Sequence, residues 1–272
     1  MNRFTRQSLF GTLSLMLMAL LALRAHGRLS QTLPNYAYLT GWILFASMVF
    51  LAAYNVRKKL PFLPLGSSEH WLQLHIYVGF FTVILFLIHL NFRIPRGWFE
   101  ISLALLYALV MASGIAGLVL TRMLPRRLST RGSEVIYEKI PALRHGLRQR
   151  AEALALGADA RSAVLADFYV RKLAGFFSGS RNFWRHLSES RRPLNAVLAD
   201  LADLRRYLND QERPAFEQLA QLVRQKDSLD YHHALQTTLK LWLFVHLPLT
   251  YSLMIFSLLH VVLVFAFSGG QR

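Results

Sequence analysis

Five stretches of the chain, at about 8–24, 37–55, 71–92, 99–122 and 240–267, are apolar and long enough for the ~17 to 25 residues that bilayer hydrocarbon demands. In lipid each backbone N–H and C=O needs a partner from within the protein, and a continuous apolar segment of this length meets that need as a helix. The expected fold class is therefore an all-α membrane protein with five transmembrane helices. A mean hydropathy of +0.31 over 272 residues fits a chain that is part membrane bundle and part polar.

The first stretch follows Arg3 and Arg6, as a signal peptide would, but the run Leu20–His26 puts Arg24 where small cleavage-site residues belong. It is expected to be an uncleaved anchor. Four spans fall in residues 1–122, a polar segment fills 123–239, and the last helix with its tail occupies 240–272.

The polar segment has a helical pattern. Leu194, Val197, Leu198, Leu201, Leu204 and Leu208 form an apolar stripe behind Pro193, a residue suited to a first helical turn. A second helical stretch from about 210, through Phe216, Leu219, Leu222 and Val223, heads towards the final span. Pro141 and the Gly175–Ser180 region mark breaks. The segment contains neither a GxGxxG fingerprint nor a GxxxxGK[ST] loop, so a dinucleotide or ATP site is not expected, and docking suits it better than catalysis. The run Arg181, Asn182, Phe183, Trp184, Arg185, His186 reads as packing combined with interface anchoring.

The charge of +16, from 31 Lys and Arg against 15 Asp and Glu, follows from topology and calls for no nucleic acid. With the N-terminus inside, the cytoplasmic face receives Arg3, Arg6, Arg57, Lys58, Lys59, Arg122, Arg126, Arg127 and Arg131. The other face receives Arg24, Arg28, Arg93, Arg96 and Arg272. The positive-inside rule then predicts N-in and C-out, with the helical insertion between helices 4 and 5 in the cytoplasm and the chain in a bacterial inner membrane. The remaining basic excess suits anionic lipid or an acidic partner protein.

There is no cysteine, which excludes disulfides, thiolate-held iron–sulfur clusters and covalently attached c-type haem. Any redox centre must then be a haem held by histidine, a non-haem metal, or lie on a partner, and histidine recurs with a fixed interval: His75 and His89 (89 − 75 = 14), and His246 and His260 (260 − 246 = 14). Fourteen residues make about 3.9 helical turns, so both rings of a pair leave nearly one face, roughly 21 Å apart along the axis. Helices three and five cross the membrane in the same sense. His75 then pairs with His246 on the inner side and His89 with His260 on the outer, each pair suited to six-coordinate haem b.

Between the histidines lie Gly79, Thr82 and Phe86 on one face and Thr250, Leu253 and Ser257 on the other, mostly small residues that leave room for a porphyrin. Gly114 and Gly117 offer a thin backbone surface on the fourth helix. Arg93 and Arg96 are placed to meet the propionates of the outer haem, and Lys240 and Lys59 those of the inner. Pro248 leaves the Phe244 carbonyl without its helical donor and predicts a kink. A non-haem metal would want carboxylates, but the only acids outside the insertion are Glu69 and Glu100, both near membrane boundaries. Glu69, His70, His232 and His233 are candidate proton-exchanging groups for a quinone.

With two helices each bearing two histidines at this interval, the chain resembles the membrane diheme cytochromes b, which include the respiratory quinol-oxidising cytochromes and the ferric reductase bundles. The resemblance covers about a tenth of the chain, and the insertion departs from it, matching no flavin or nicotinamide domain. It implies a redox subunit that passes electrons across the membrane, between a quinone pool or cytoplasmic donor and partner redox subunits of a larger complex. Two readings from other classes compete: a transporter or proton relay with its histidines in a hydrated path, and a scaffold without redox chemistry.

Overall fold

The computed structural model describes residues 3–33, 36–59, 67–129, 135–157 and 162–268, which are helical with short connections and contain no strand. Five helices have the length and apolarity to cross a membrane: α1 (Arg3–Thr32), α2 (Tyr36–Lys59), α3 (Ser68–His89), α4 (Trp98–Leu128) and α10 (Arg213–Ser268). Between α4 and α10 lie α5 (Ile140–Leu156), α6 (Ala163–Phe168), a π turn at Tyr169–Leu173, α7 (Ala174–Phe177), α8 (Phe183–Leu187) and α9 (Arg192–Leu204). At 1.5 Å per residue, the 56 residues of α10 extend about 84 Å, far beyond a bilayer, and only its C-terminal half is continuously apolar.

The chain divides into two compact units, one of residues 1–118 and 243–272, the other of residues 119–242. The divisions fall inside α4 and α10, close to the sequence-based limits of 122 and 240.

In the first unit most large apolar side chains face outward, among them Phe10, Met16, Ile255 and Phe244, as lipid-facing residues do. Its interior is small: Leu44 and Met48 of α2, Leu85 of α3, Tyr107 of α4 and Leu253 of α10. Gly11 brings α1 close to α3, because a Cβ there would stand 2.5 Å from the Tyr77 ring. Helix α10 continues unbroken through Pro248.

The second unit has the reverse arrangement. Ile140, Leu147 and Ala151 of α5, Phe168, Phe176 and Phe177 around the π turn, Leu201 of α9 and Val223 of α10 form one apolar core. Pro141 and Pro193 sit in the first turns of α5 and α9, and α7 ends at Phe177, just ahead of the Gly179 turn. The leucine stripe of α9 packs as its period predicts, with Leu201 buried and Leu194, Val197, Leu198 and Leu204 against the core. The π turn keeps Tyr169 and Leu173 inward and leaves Val170, Arg171 and Lys172 outward. A second cluster joins Leu120, Leu124 and Leu128 at the end of α4 to Tyr231, Ala234 and Leu235 of α10, with Phe183 of α8.

One charge is fully enclosed here. Lys226 is 0% exposed, and its ammonium donates to the Gly179 carbonyl at 2.7 Å and to the Asp230 carboxylate. The Arg181 backbone N–H also donates to Asp230, at 3.2 Å. Burial pushes the Lys226 ammonium below its ordinary range and the Asp230 carboxyl above its own, and the attraction between them opposes both shifts.

Candidate metal centre

His89 is the last residue of α3, and His260 lies on the membrane half of α10. Their ring centroids are 6.4 Å apart, with planes at 89°. Taking a metal–nitrogen distance of about 2.0 Å and a ring nitrogen about 1.1 Å from its centroid, two imidazoles on opposite sides of one ion stand about 6.2 Å apart. The observed separation fits that arrangement.

Each ring is held by neighbours. Thr40 Oγ1 donates to the Ala37 carbonyl at 3.0 Å and lies 3.3 Å from His89 Nδ1. With its proton committed to Ala37, the hydroxyl is free to accept from Nδ1, and the tautomer protonated there would leave the lone pair of Nε2 for a metal. Gly41 gives the ring its space, since a Cβ there would stand 3.0 Å from His89 Cε1. His260 stacks on Phe99 at 6.2 Å and 20°.

Beside these rings opens a cavity of about 1200 Å³, larger than the ~300 to 1,000 Å³ of ordinary small-ligand clefts. Apolar side chains including Trp42, Phe45, Leu103 and Val261 line it, together with Arg93, Arg96 and Glu100. The arginines reach it through a tight reversal directly after His89. Asn91 and Phe92 adopt φ of 51° and 55°, and the Phe92 and Arg93 N–H groups donate to Leu87 and Leu90. A bulky residue such as Phe92 is rarely left-handed, so the turn is strained next to the site.

His75 and His246 each have their own supports. His246 Nδ1 lies 3.2 Å from Ser113 Oγ, and a Cβ at Gly114 would lie 3.8 Å from His246 Cε1. His75 packs on Tyr54, with centroids 5.2 Å apart. A Cβ at Gly79, one turn beyond His75, would meet nothing within 4 Å. Gly117 is buried.

The stripe between the two levels is more filled than its small residues imply. Phe86 stacks on Tyr107 at 4.1 Å and 19°, and Thr82 Oγ1 lies 3.0 Å from Tyr107 Oη while donating to the Gly79 carbonyl. The Tyr107 hydroxyl therefore donates to Thr82. This aromatic layer belongs to the small apolar core, so open space is found at the level of His89 and His260 and beside Gly79 and not along the whole face.

Several sequence candidates have other engagements. Lys240 pairs with Glu138 at 2.8 Å and covers the Tyr137 ring at 3.7 Å, both in the second unit. The Lys59 side chain lies outside the described residues. Glu69 and His70 are exposed at the start of α3, where Ser67 Oγ caps the His70 N–H. His232 is buried in the second unit, and His233 stacks on Tyr137 at 5.4 Å.

Thr40, Gly41, Phe99, Tyr107 and Ser113 were not among the sequence candidates. Among the described residues no three His, Cys, Asp or Glu side chains gather as a metal shell. Two imidazoles beside a roomy apolar cavity with two arginines fit an ion that brings its own planar ligand, as iron in haem does. Comparisons with protein-family models, with curated proteins and with solved structures find no match to this chain.

Proposed function

We propose that this chain is a bis-histidine diheme b-type cytochrome, the membrane-embedded electron-carrying subunit of a larger redox complex, with His89 and His260 holding the outer haem and His75 and His246 the inner. Bound haem supplies one-electron chemistry between its two iron oxidation states. The residues of the chain supply the rest. Thr40 and Ser113 orient two of the imidazoles, Arg93 and Arg96 offer charge-assisted donors to carboxylates, and the apolar wall keeps water away and so tunes the potential.

The observation that carries the reading is the 6.4 Å pairing of His89 with His260 beside a cavity that also takes in two arginines. Direct NADPH oxidation is not part of it, since the polar unit is a helical body without a nucleotide fingerprint. The electrons come from a quinol or a cytoplasmic donor and leave to a partner protein. We assign the N-terminus and the insertion to the cytoplasmic side of a bacterial inner membrane, where most of the loop arginines and lysines then lie.

The test is a reduced-minus-oxidised spectrum of protein purified from cells with ample haem supply. Two b-type centres are expected, and His89→Ala and His260→Ala each remove the same one. Colourless protein with pH-dependent ion flux would instead make the histidines a proton path.

A further inference from the structure

Helix α8 is a five-residue knob whose sides have opposite characters. Phe183 and His186 turn inward: Phe183 packs on the cluster of Leu120, Leu124 and Tyr231, and His186 is 2% exposed. Trp184 and Arg185 turn outward, and Trp184 is 80% exposed, which is unusual for the largest apolar side chain.

Several contacts fix the knob to the end of α4. Arg127 Nη1 donates to the Leu187 carbonyl at 3.0 Å, and Arg127 Nε pairs with Glu189 at 3.1 Å. Left-handed residues bracket the knob, Asn182 with φ 60° and Glu189 with φ 57°. Trp184 is thus held rigidly beside the last turns of a helix that has the length and apolarity to cross a membrane.

That position has a definite depth. Arg122, Arg126 and Arg127 end the apolar run of α4 and so mark its headgroup level, and Arg122 and Arg126 are exposed. Tryptophan prefers this layer, where its ring meets acyl chains and its N–H meets water. Exposed arginines beside it favour anionic lipid by about 1 kcal/mol each near the surface.

We propose that Trp184 and Arg185 form a lipid-contacting foot of the polar unit, seated in the headgroup layer of an anionic membrane next to the end of α4. The occupant is lipid because the exposed charges of the knob and of the α4 end are basic apart from Glu189, which Arg127 pairs, and because the knob packs on a helix with the length and apolarity to cross a membrane. The proposal depends on α4 crossing a bilayer and not on haem.

The absence of cysteine makes the test clean, since one introduced thiol is unique. Full-length Trp184→Cys carries a nitroxide in single-copy nanodiscs of phosphatidylcholine with and without phosphatidylglycerol. Tyr207→Cys is the control, in the same unit and 69% exposed, about 20 Å along α9 from Arg192. Arg185→Cys replaces the first variant if it does not fold.

The expected result is several-fold lower collision with a water-soluble nickel chelate, and higher collision with oxygen, at position 184 than at 207. Phosphatidylglycerol should increase that shielding, and Arg185→Glu should abolish the increase. Equal chelate access at the two positions in both lipids would overturn the proposal. So would a label exposed in discs and shielded only by an added protein, which would make the knob a protein-docking surface.

Discussion

The two units of this chain put opposite chemistry in their interiors. The membrane unit turns leucines and phenylalanines outward and collects two histidines, a serine, two tyrosines, two arginines and a glutamate around a cavity. The polar unit buries Leu173, Val223 and Leu235 completely and leaves its charges outside, with the Lys226–Asp230 pair as the chief exception. The difference follows from the solvent. Water drives apolar side chains into a core, whereas lipid gives helices no such push, and they associate through close packing, polar contacts and whatever fills the space between them. One unit therefore closes on an apolar core, and the other leaves a cavity between its helices.

The largest effect that would sharpen this contrast is expected from Lys226→Met. It leaves the Asp230 carboxylate buried without its main counter-charge, and breaking one partner of a buried pair costs about 3 to 5 kcal/mol. Protease sensitivity within residues 135–242 should rise sharply while both haem bands persist. Loss of the bands together with the polar unit would show that the two do not fold separately.

A smaller effect is expected from Gly41→Val, which drives a side chain into the His89 ring. Overpacking of this kind costs about 1 to 3 kcal/mol. The share of one b-type centre in the reduced spectrum should fall, with the melting of the polar unit unchanged. An unaltered spectrum would mean that α2 does not position the ligand.

The smallest effect concerns His233. Burial first, and then the nearby Arg144 charge, hold its ring below the ordinary histidine range, against the pull of Asp230. The folded state therefore prefers the neutral ring, while the unfolded chain takes up a proton below pH ~6.5. The stability from this group is complete above that pH and is lost as the pH falls through it. His233→Gln should flatten the drop in stability of the polar unit between pH 7.5 and 5.5 by less than about 1 kcal/mol, because the ring is partly solvated. A thermal melt series of both proteins measures it, and an identical pH slope would remove His233 from the account.

What could be read in the sequence was whatever repeats along one helix. The spans showed through their length, the histidines through their interval, and the face of α9 through its leucine period. Contributions from other helices left no such trace. Thr40 and Gly41 lie in a span that carries no histidine or carboxylate, and the hint there was a glycine within a helix, which is as often plain packing. Tyr107 looked like any membrane tyrosine until α4 set it against Phe86 and Thr82. Lys226 and Asp230, four apart on one helix, carry nothing in the sequence that marks them as buried. Their burial depends on the Gly179 turn, 47 residues away in sequence, folding over them. The partners of Lys240 were hidden for the same reason, because Glu138 and Tyr137 reach it from a distant segment.

The most direct measurement is the haem content of the purified full-length chain, by pyridine haemochrome absorbance against protein mass. The account predicts two b-type haems per chain, falling to one in His89→Ala or in His260→Ala and no lower in the double variant. Folded wild-type protein that carries no haem despite ample supply would contradict it.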